Sequence, residues 1–385
     1  MKLAGVKVVD LSLFLPGPHL TMMMADHGAE VIKVEPYQGG EPVRHVGLVK
    51  SGQSVWFRNT HRGKRSLRLN LKDPRGKEIL YRLCDRADVF VQAFRPGVMD
   101  RLGFGYTTLA QRSPRIIYCS ISAFGQEGRY RDKPAHDVAV QAMAGLISVN
   151  LGQDGKPTLP GVPAADMAAS LMALSGILMA LLKQRETGNG DFIDIAMHDS
   201  LLAWTPNVMG PIFAEGRAPV PKDERSWGGA AFYNLYETAD GRFLALGGSE
   251  HKFAENFLRK AGRADLIPLC REPPGPKQAS VCEYLRDLFR TRTLADWLAW
   301  LDGMDVCYAP IRTLKDAIDD PNTTERGMLL HDEEGLEHLG VPIKFRGEPA
   351  KPNLRVPTLG EDSEAILREI GYEGDIGALH RDGIV

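Results

Sequence analysis

The sequence predicts an α/β protein, with a parallel sheet in a large domain and a second, smaller α+β domain. Three observations carry that expectation. Short β-branched runs alternate with segments of helical spacing along the first half of the chain, the order of repeated βαβ units. Those runs are nearly all apolar, as strands covered on both faces are. Past residue 225 the pattern changes to two alternating runs joined by a tight turn, the mark of an antiparallel hairpin. A chain of 385 residues also exceeds one ordinary core.

In order, residues 6–11 (VKVVDL) read as the first strand and LPGPH as a turn. Residues 19–27 read as a helix that stops at Gly28, and residues 30–35 (EVIKVE) as a second strand. LRLNL is strand-like. A helix over 77–86, a strand over 87–92, a short helix over 98–102 and a strand over 115–121 follow. Helices are expected over 135–150 and 165–183, then a strand over 192–196. The predicted domains are a large domain over 1–205, a Pro- and Gly-rich linker over 206–224 and a small α+β domain over 225–320. Residues 321–385 are expected to return to the large domain. The apolar stretch 167–182 is alanine-rich and reads as a buried helix rather than a membrane span.

Composition narrows the function classes. Apolar residues make up 43% and charged residues 25%, as in soluble globular chains, and a formal charge of -2 gives no global attraction to nucleic acid or to an anionic membrane. The five cysteines are odd in number, lie far apart and form no CxxC pair, so neither a disulfide framework nor a metal site is expected. Reduced thiols and the lack of a leader pattern in MKLAGVKVVDLS point to the cytoplasm.

The chemistry-bearing residues are few. Pro16-Gly17-Pro18 is not a dinucleotide fingerprint and reads as a rigid βα turn. Residues 58–68 (RNTHRGKRSLR) gather six cationic groups, His61 included. They are either a solvated face or a phosphate site. Arg95, after a strand, sits where open α/β sheets bind ligands, or in a plain turn. His136 opens a helix, where the dipole favours a neutral imidazole able to accept a proton, and Asp137 beside it reads as a cap or first-turn residue. Asp166 stands alone among small and apolar residues at a helix start. The plain reading is a capping residue; the other is a desolvated carboxylate of raised basicity or nucleophilicity, with Ala164, Ala165, Ala168 and Ala169 leaving room for a ligand. Glu250, after two glycines, precedes a helix that it would cap, unless the glycines admit a ligand.

Several stretches together resemble one family: LPGPHLTMMMADHGAEVIKVEP, NTHRGKRSLRLNLK, FRPGVMDRLGFGY, ISAFGQEG and ADMAASLMALSGILMALLKQRETGNGDFIDIAMHDS. Their wording and order are similar to the class III CoA-transferase family, which also contains α-methylacyl-CoA racemase. The resemblance implies a Rossmann-like large domain, a small domain and an interlocked homodimer in which each chain passes through the ring of the other. It implies an acyl-CoA substrate, with coenzyme A arriving as part of that substrate and no permanently bound cofactor. Asp166 falls on the catalytic aspartate. In transferases that residue attacks the thioester to form a mixed anhydride. In the racemase it works with a histidine on the carbon beside the thioester carbonyl, one base per face. His136 in AHD falls where the racemase has its histidine, and Glu250 in GGSEHKF where it has an active-site glutamate. WGGAAFYNLYETADGRF is also racemase-like, whereas Ala135, the VAVQAMAGL stretch and Met167-Ala168-Ala169-Ser170 depart from it.

The expectation is therefore a racemase-like enzyme using His136 and Asp166, with Glu250 nearby, and backbone N–H groups at the start of the Asp166 helix stabilising the enolate. A CoA-transferase with Asp166 as nucleophile is the alternative. A catalytically silent CoA-binding protein is a third reading, disfavoured by the intact His, Asp and Glu set. By resemblance, Arg44, Arg62, Lys64, Arg65, Arg95 and Tyr106 hold the CoA phosphates and adenine, and Asp137 is counted with them. The thirteen methionines allow an adaptable apolar acyl pocket.

Overall fold

The computed structural model describes residues 1–152 and 154–385. Met1–Ala144, Gly161–Trp204 and Pro321–Val385 form one compact unit; Gly145–Pro160 and Thr205–Asp320 form another. The first unit is a mixed α/β structure on a six-stranded sheet. Its strands are β1 (Lys7–Asp10), β2 (Glu30–Pro36), β3 (Arg65–Leu69), β4 (Val89–Gln92), β5 (Ile117–Ser122) and β6 (Asp191–Ala196). They lie in the order β3-β2-β1-β4-β5-β6, and every neighbouring pair is parallel. Val8 of β1 sits between Val31 and Val89, in the middle of the sheet. β4 and β5 are buried at every residue, as expected for a sheet sandwiched between helices.

The helices of this unit are α1 (Pro16–Asp26), α2 (Val55–His61), α3 (Pro74–Cys84), α4 (Val98–Leu102), α5 (Tyr106–Arg112), α6 (Asp137–Met143), α7 (Ala164–Thr187) and α8 (Met197–Leu202). α2, α5 and α8 are absent from the sequence reading, and three others depart from it. α1 begins at Pro16, not after the turn. A helix's first residues need no intrahelical N–H donor, so Pro16 and Pro18 start it rather than delay it. Gly17 is there for close approach: a Cβ would lie 2.1 Å from the Cβ of Ser12. The helix expected over 135–150 is broken. Gly145 has φ +83, which a helix cannot continue through, and the following turn Leu146–Val149 belongs to the second unit.

The third departure is α7, which is longer than expected at 24 residues and is long and apolar enough, by length and composition, to cross a membrane. One face packs on α1, α6, α8 and strands β5 and β6, and buries Ala165, Ala168, Ala169, Ala173 and Ile177. The expected burial holds for that face alone. Leu171, Leu178, Met179 and Leu182 on the other face are exposed, the last two at 65%.

The main core lies between the sheet and α3. Leu67, Ile79, Leu80, Phe90 and Phe104 meet Ile366, Leu367, Leu379 and Ile384 from the end of the chain. The second unit carries an antiparallel sheet of Tyr308–Pro310, Phe243–Gly247 and Tyr233–Glu237, which includes the hairpin read from the sequence. Tyr236, Leu244, Phe257, Phe289 and Trp297 form its core. Residues 206–224 are not wholly irregular: a 3₁₀ turn at Pro206–Val208 and a helix at Gly210–Glu215 lie within them.

Candidate active site

In an open parallel sheet, ligands bind outside the carboxyl ends of the strands where the strand order reverses. Here the reversal lies between β1, whose next strand is β2 on one side, and β4 on the other. A cavity of about 750 Å³ opens at that place. Its walls are Leu13, Phe14 and Pro16 after β1, Ala93 to Pro96 after β4, Ile121 to Ala123 at the end of β5, and Met197 after β6. Arg131, Lys133, Pro134, His136 and Asp166 complete it. A second cavity of about 430 Å³ lies over the ends of β1, β2 and β3. It includes Tyr37, Asn70 and Lys72 and shares Leu13 and Phe94 with the first.

Asp166 is in the first turn of α7. Pro163, at the cap position, has no side-chain acceptor to offer, and Asp137 does the capping from α6. Asp137 Oδ1 accepts from the backbone N of Ala165 at 2.8 Å and of Asp166 at 3.1 Å, and Oδ2 accepts from Gln141 Nε2 at 2.6 Å. The N–H of Ala164 donates to Val162 O and that of Met167 to Pro163 O. One expectation changes as a result. The N–H groups at the start of this helix are already engaged, so they are not free for an enolate oxygen. Asp137, counted with the CoA-binding residues, clasps the start of this helix.

Asp166 is partly buried, and its carboxyl pKa is pushed up to about 7, first by burial and then by the negative Asp137 beside it. The desolvated carboxylate read from the sequence is thus present, with a second acid beside it that the reading did not include.

His136 sits at the N-cap position of α6, exposed, and its side chain makes no cap. The Phe14 ring meets it edge-on, with centroids 5.8 Å apart and planes at 83°. Phe14 has φ +64, a left-handed backbone that costs a bulky residue on the order of 1–3 kcal/mol. Glu250 is the exposed N-cap residue of the helix His251–Lys260 in the second unit, and its side chain makes no capping bond.

The basic loop is largely turned inward. Arg62 pairs with Asp26 through Nε at 3.0 Å and Nη2 at 2.7 Å, and both residues are buried. Lys64 is buried, 3.1 Å from Asp10 and 2.9 Å from Pro18 O. Burial pushes its pKa down to about 8, against the pull of Asp10. Arg44 binds Glu35 by two nitrogens and lies over the Phe57 ring, and Arg65 bridges Glu30 and Glu369. Each of these four cations faces a carboxylate of its own fold, while Arg58 and Arg68 donate to the carbonyls of Lys50 and Val385. Tyr106 lies against Phe192, centroids 5.2 Å apart, beside a small cavity that also touches Arg95.

Arg95 is exposed on the cavity wall, as the sequence suggested. Arg101, Arg131 and Lys133 were missed. A Cβ on Gly97 would lie 3.2 Å from Arg101 Nη1 and 3.6 Å from Arg131 Nη2, so two guanidinium groups converge on the turn that carries Arg95. The signal for Arg101 was its spacing: four residues past Gly97 on a short helix, with the side chain leaning towards the N-terminus. Arg131 comes from a distant loop and gave no comparable signal.

A family model described as CoA-transferase family III matches residues 3–363. The chain is 34% identical to α-methylacyl-CoA racemase of Homo sapiens, over 100% of this chain and 98% of that protein. It is 32% identical to succinyl-CoA:glutarate CoA-transferase of Mus musculus, over 98% of this chain and 88% of that protein. Among solved structures, a CAIB/BAIF family protein from Brucella suis superposes with a TM-score of 0.83 at 30% identity, covering 96% of this chain and 99% of that one.

Proposed function

The chain belongs to CoA-transferase family III, and from that premise we propose that it moves a proton at C2 of an acyl-CoA thioester, with His136 and Asp166 as the two bases. It is an enzyme of one of the two kinds in that family, a racemase or a CoA-transferase. The observation that carries the proton-transfer reading is that His136 and Asp166 line the same cavity at the sheet's switch point, with the Asp166 pKa at about 7. A base works best when its pKa lies near the working pH, and a positioned base contributes roughly 10²–10⁴-fold. One group takes the C2 proton, the electron pair passes to the thioester oxygen as an enolate, and the other group returns a proton to the opposite face. With the α7 N–H groups engaged, the cations Arg95 and Lys133 lining the same cavity are the groups that would offset the enolate charge. In this reading the CoA moiety runs from the first cavity into the second, past Leu13 and Phe94, with Arg95, Arg101, Arg131 and Lys72 as its phosphate partners.

A second reading is transfer of CoA between carboxylates. Asp166 attacks the thioester carbonyl, the C–S bond breaks and CoA leaves as the thiolate. The thiolate attacks the Asp166 carbonyl of the mixed anhydride and releases the donor carboxylate. An acceptor carboxylate then displaces the thiolate from the aspartyl thioester, and the thiolate takes the acceptor acyl group from that second anhydride, freeing Asp166. What favours it is the wall itself, on which Arg95, Arg131 and Lys133 accompany a single acid, Asp166. Such a wall attracts an anionic acceptor. One experiment separates the two. A 2-methylacyl-CoA in deuterated water should gain deuterium at C2 with the parent chain and not with His136→Ala. No uptake, together with hydroxylamine trapping of an acyl group at Asp166, would move the assignment to transfer.

The same reading includes a cytosolic enzyme, on its five unpaired thiols, and an interlocked homodimer, on the exposed apolar face of α7.

A further inference from the structure

The segment between β1 and α1 is held from several sides. Ser12 N and Oγ both donate to Asp10 Oδ1, and Lys33 Nζ donates to Ser12 O. Phe14 N donates to Glu41 Oε1 at 2.9 Å. Glu41 is fully buried, its Oε2 lies 3.1 Å from Lys33 Nζ, and its own N–H donates to Glu35 Oε2 at 2.9 Å. This frame keeps Phe14 at φ +64, where a relaxed loop would place glycine or asparagine.

The strained backbone has one visible product. It sets the Phe14 ring edge-on against His136, at 5.8 Å and 83°. Among the described residues, no hydrogen bond, ion pair or other ring meets that imidazole. An exposed histidine at a helix start otherwise rotates freely between staggered rotamers.

We propose that Phe14 is a positioning residue for His136, locked in its left-handed conformation by the buried Glu41–Lys33 pair. The role rests on the proton-transfer reading of His136. Strain held at a catalytic wall fixes one group without a polar contact that would compete with substrate. An edge-on ring also restricts the imidazole without donating to, or accepting from, the nitrogen that must carry the proton.

The test uses the full chain with Phe14→Gly, Phe14→Leu and Phe14→Tyr. Glycine accepts the positive φ, so Phe14→Gly removes the ring without imposing strain, and Phe14→Leu serves if the glycine chain does not fold. We expect kcat for C2 exchange to fall about tenfold in Phe14→Gly and Phe14→Leu, with KM within about twofold of the parent. Phe14→Tyr, which keeps the ring, should restore the parent rate. Crystals of Phe14→Gly should show His136 in more than one rotamer, and crystals of Phe14→Tyr in one. A parent-like kcat in the ring-less chains, or a single unmoved His136 rotamer in Phe14→Gly, overturns the proposal. If His136→Ala exchanges C2 hydrogen as fast as the parent, the proton-transfer reading fails instead, and the rotamer comparison still decides whether Phe14 orients His136.

Discussion

At neutral pH a carboxyl group of pKa about 7 is charged in roughly half of the molecules, and Asp166 is such a group. Either form is then at hand for giving or taking a proton. The same shift has a stability consequence whose sign is fixed. The folded pKa lies above the ordinary 3.8, so between about pH 4 and pH 7 the native chain holds a proton that the unfolded chain has lost. Stability therefore falls across that window as pH rises. Asp166→Asn removes the titrating group while keeping its shape. Its melting temperature should match the parent near pH 4 and exceed it near pH 8, in paired scans over that range. A gain of equal size at both ends would mean that Asp166 is not desolvated in the folded chain. Asp166 stood out in the sequence as a lone acid among alanines, with a cap as its plain reading; the structure gives the capping to Asp137 and leaves Asp166 half-buried. Phe14 did not stand out, because nothing in a run such as LSLFLPGP marks a phenylalanine that will adopt positive φ.

Strands and helices were read well where burial dictates composition and less well at their ends. β4 and β5 are apolar throughout because both faces are covered, and that is visible in one dimension. The start of α1 was misplaced because Pro16 both breaks and begins helices, and only the packing of Gly17 on Ser12 decides between them. On α7 the composition is apolar all round, so the sequence cannot say which face is covered. The structure covers one and leaves Leu171, Leu178, Met179 and Leu182 in solvent. If a second copy covers that face, light scattering should give twice the chain's mass. Met179→Lys with Leu182→Lys should then halve the mass or leave an aggregating chain. A parent chain that scatters as a monomer at micromolar concentration would remove the dimer from the proposed function.

Across the whole molecule, the largest misreading was of charge. Six cationic groups in residues 58–68 looked like a surplus because their partners are far away in sequence. The parallel sheet brings Asp10 on β1, Asp26 on α1 and Glu30 on β2 to Lys64, Arg62 and Arg65. A linear count of charges has no access to that pairing. Removing one member of a buried pair strands the other, which costs about 3–5 kcal/mol. Arg62→Met should accordingly lower unfolding free energy in urea by that order and leave KM for a CoA ester within about twofold. The reverse result, normal stability with a much raised KM, would return Arg62 to the phosphate site that the sequence suggested.

The clasp made by Asp137 links the two proposed bases mechanically. His136 is its neighbour in the chain, and its carboxylate grips the N–H of Asp166 itself. The backbone positions from which the imidazole and the carboxyl project are thus tied by one peptide bond and one side chain. In the proton-transfer reading this tie acts as a caliper on the two backbones, and a substrate carbon would have to come to the middle of its span.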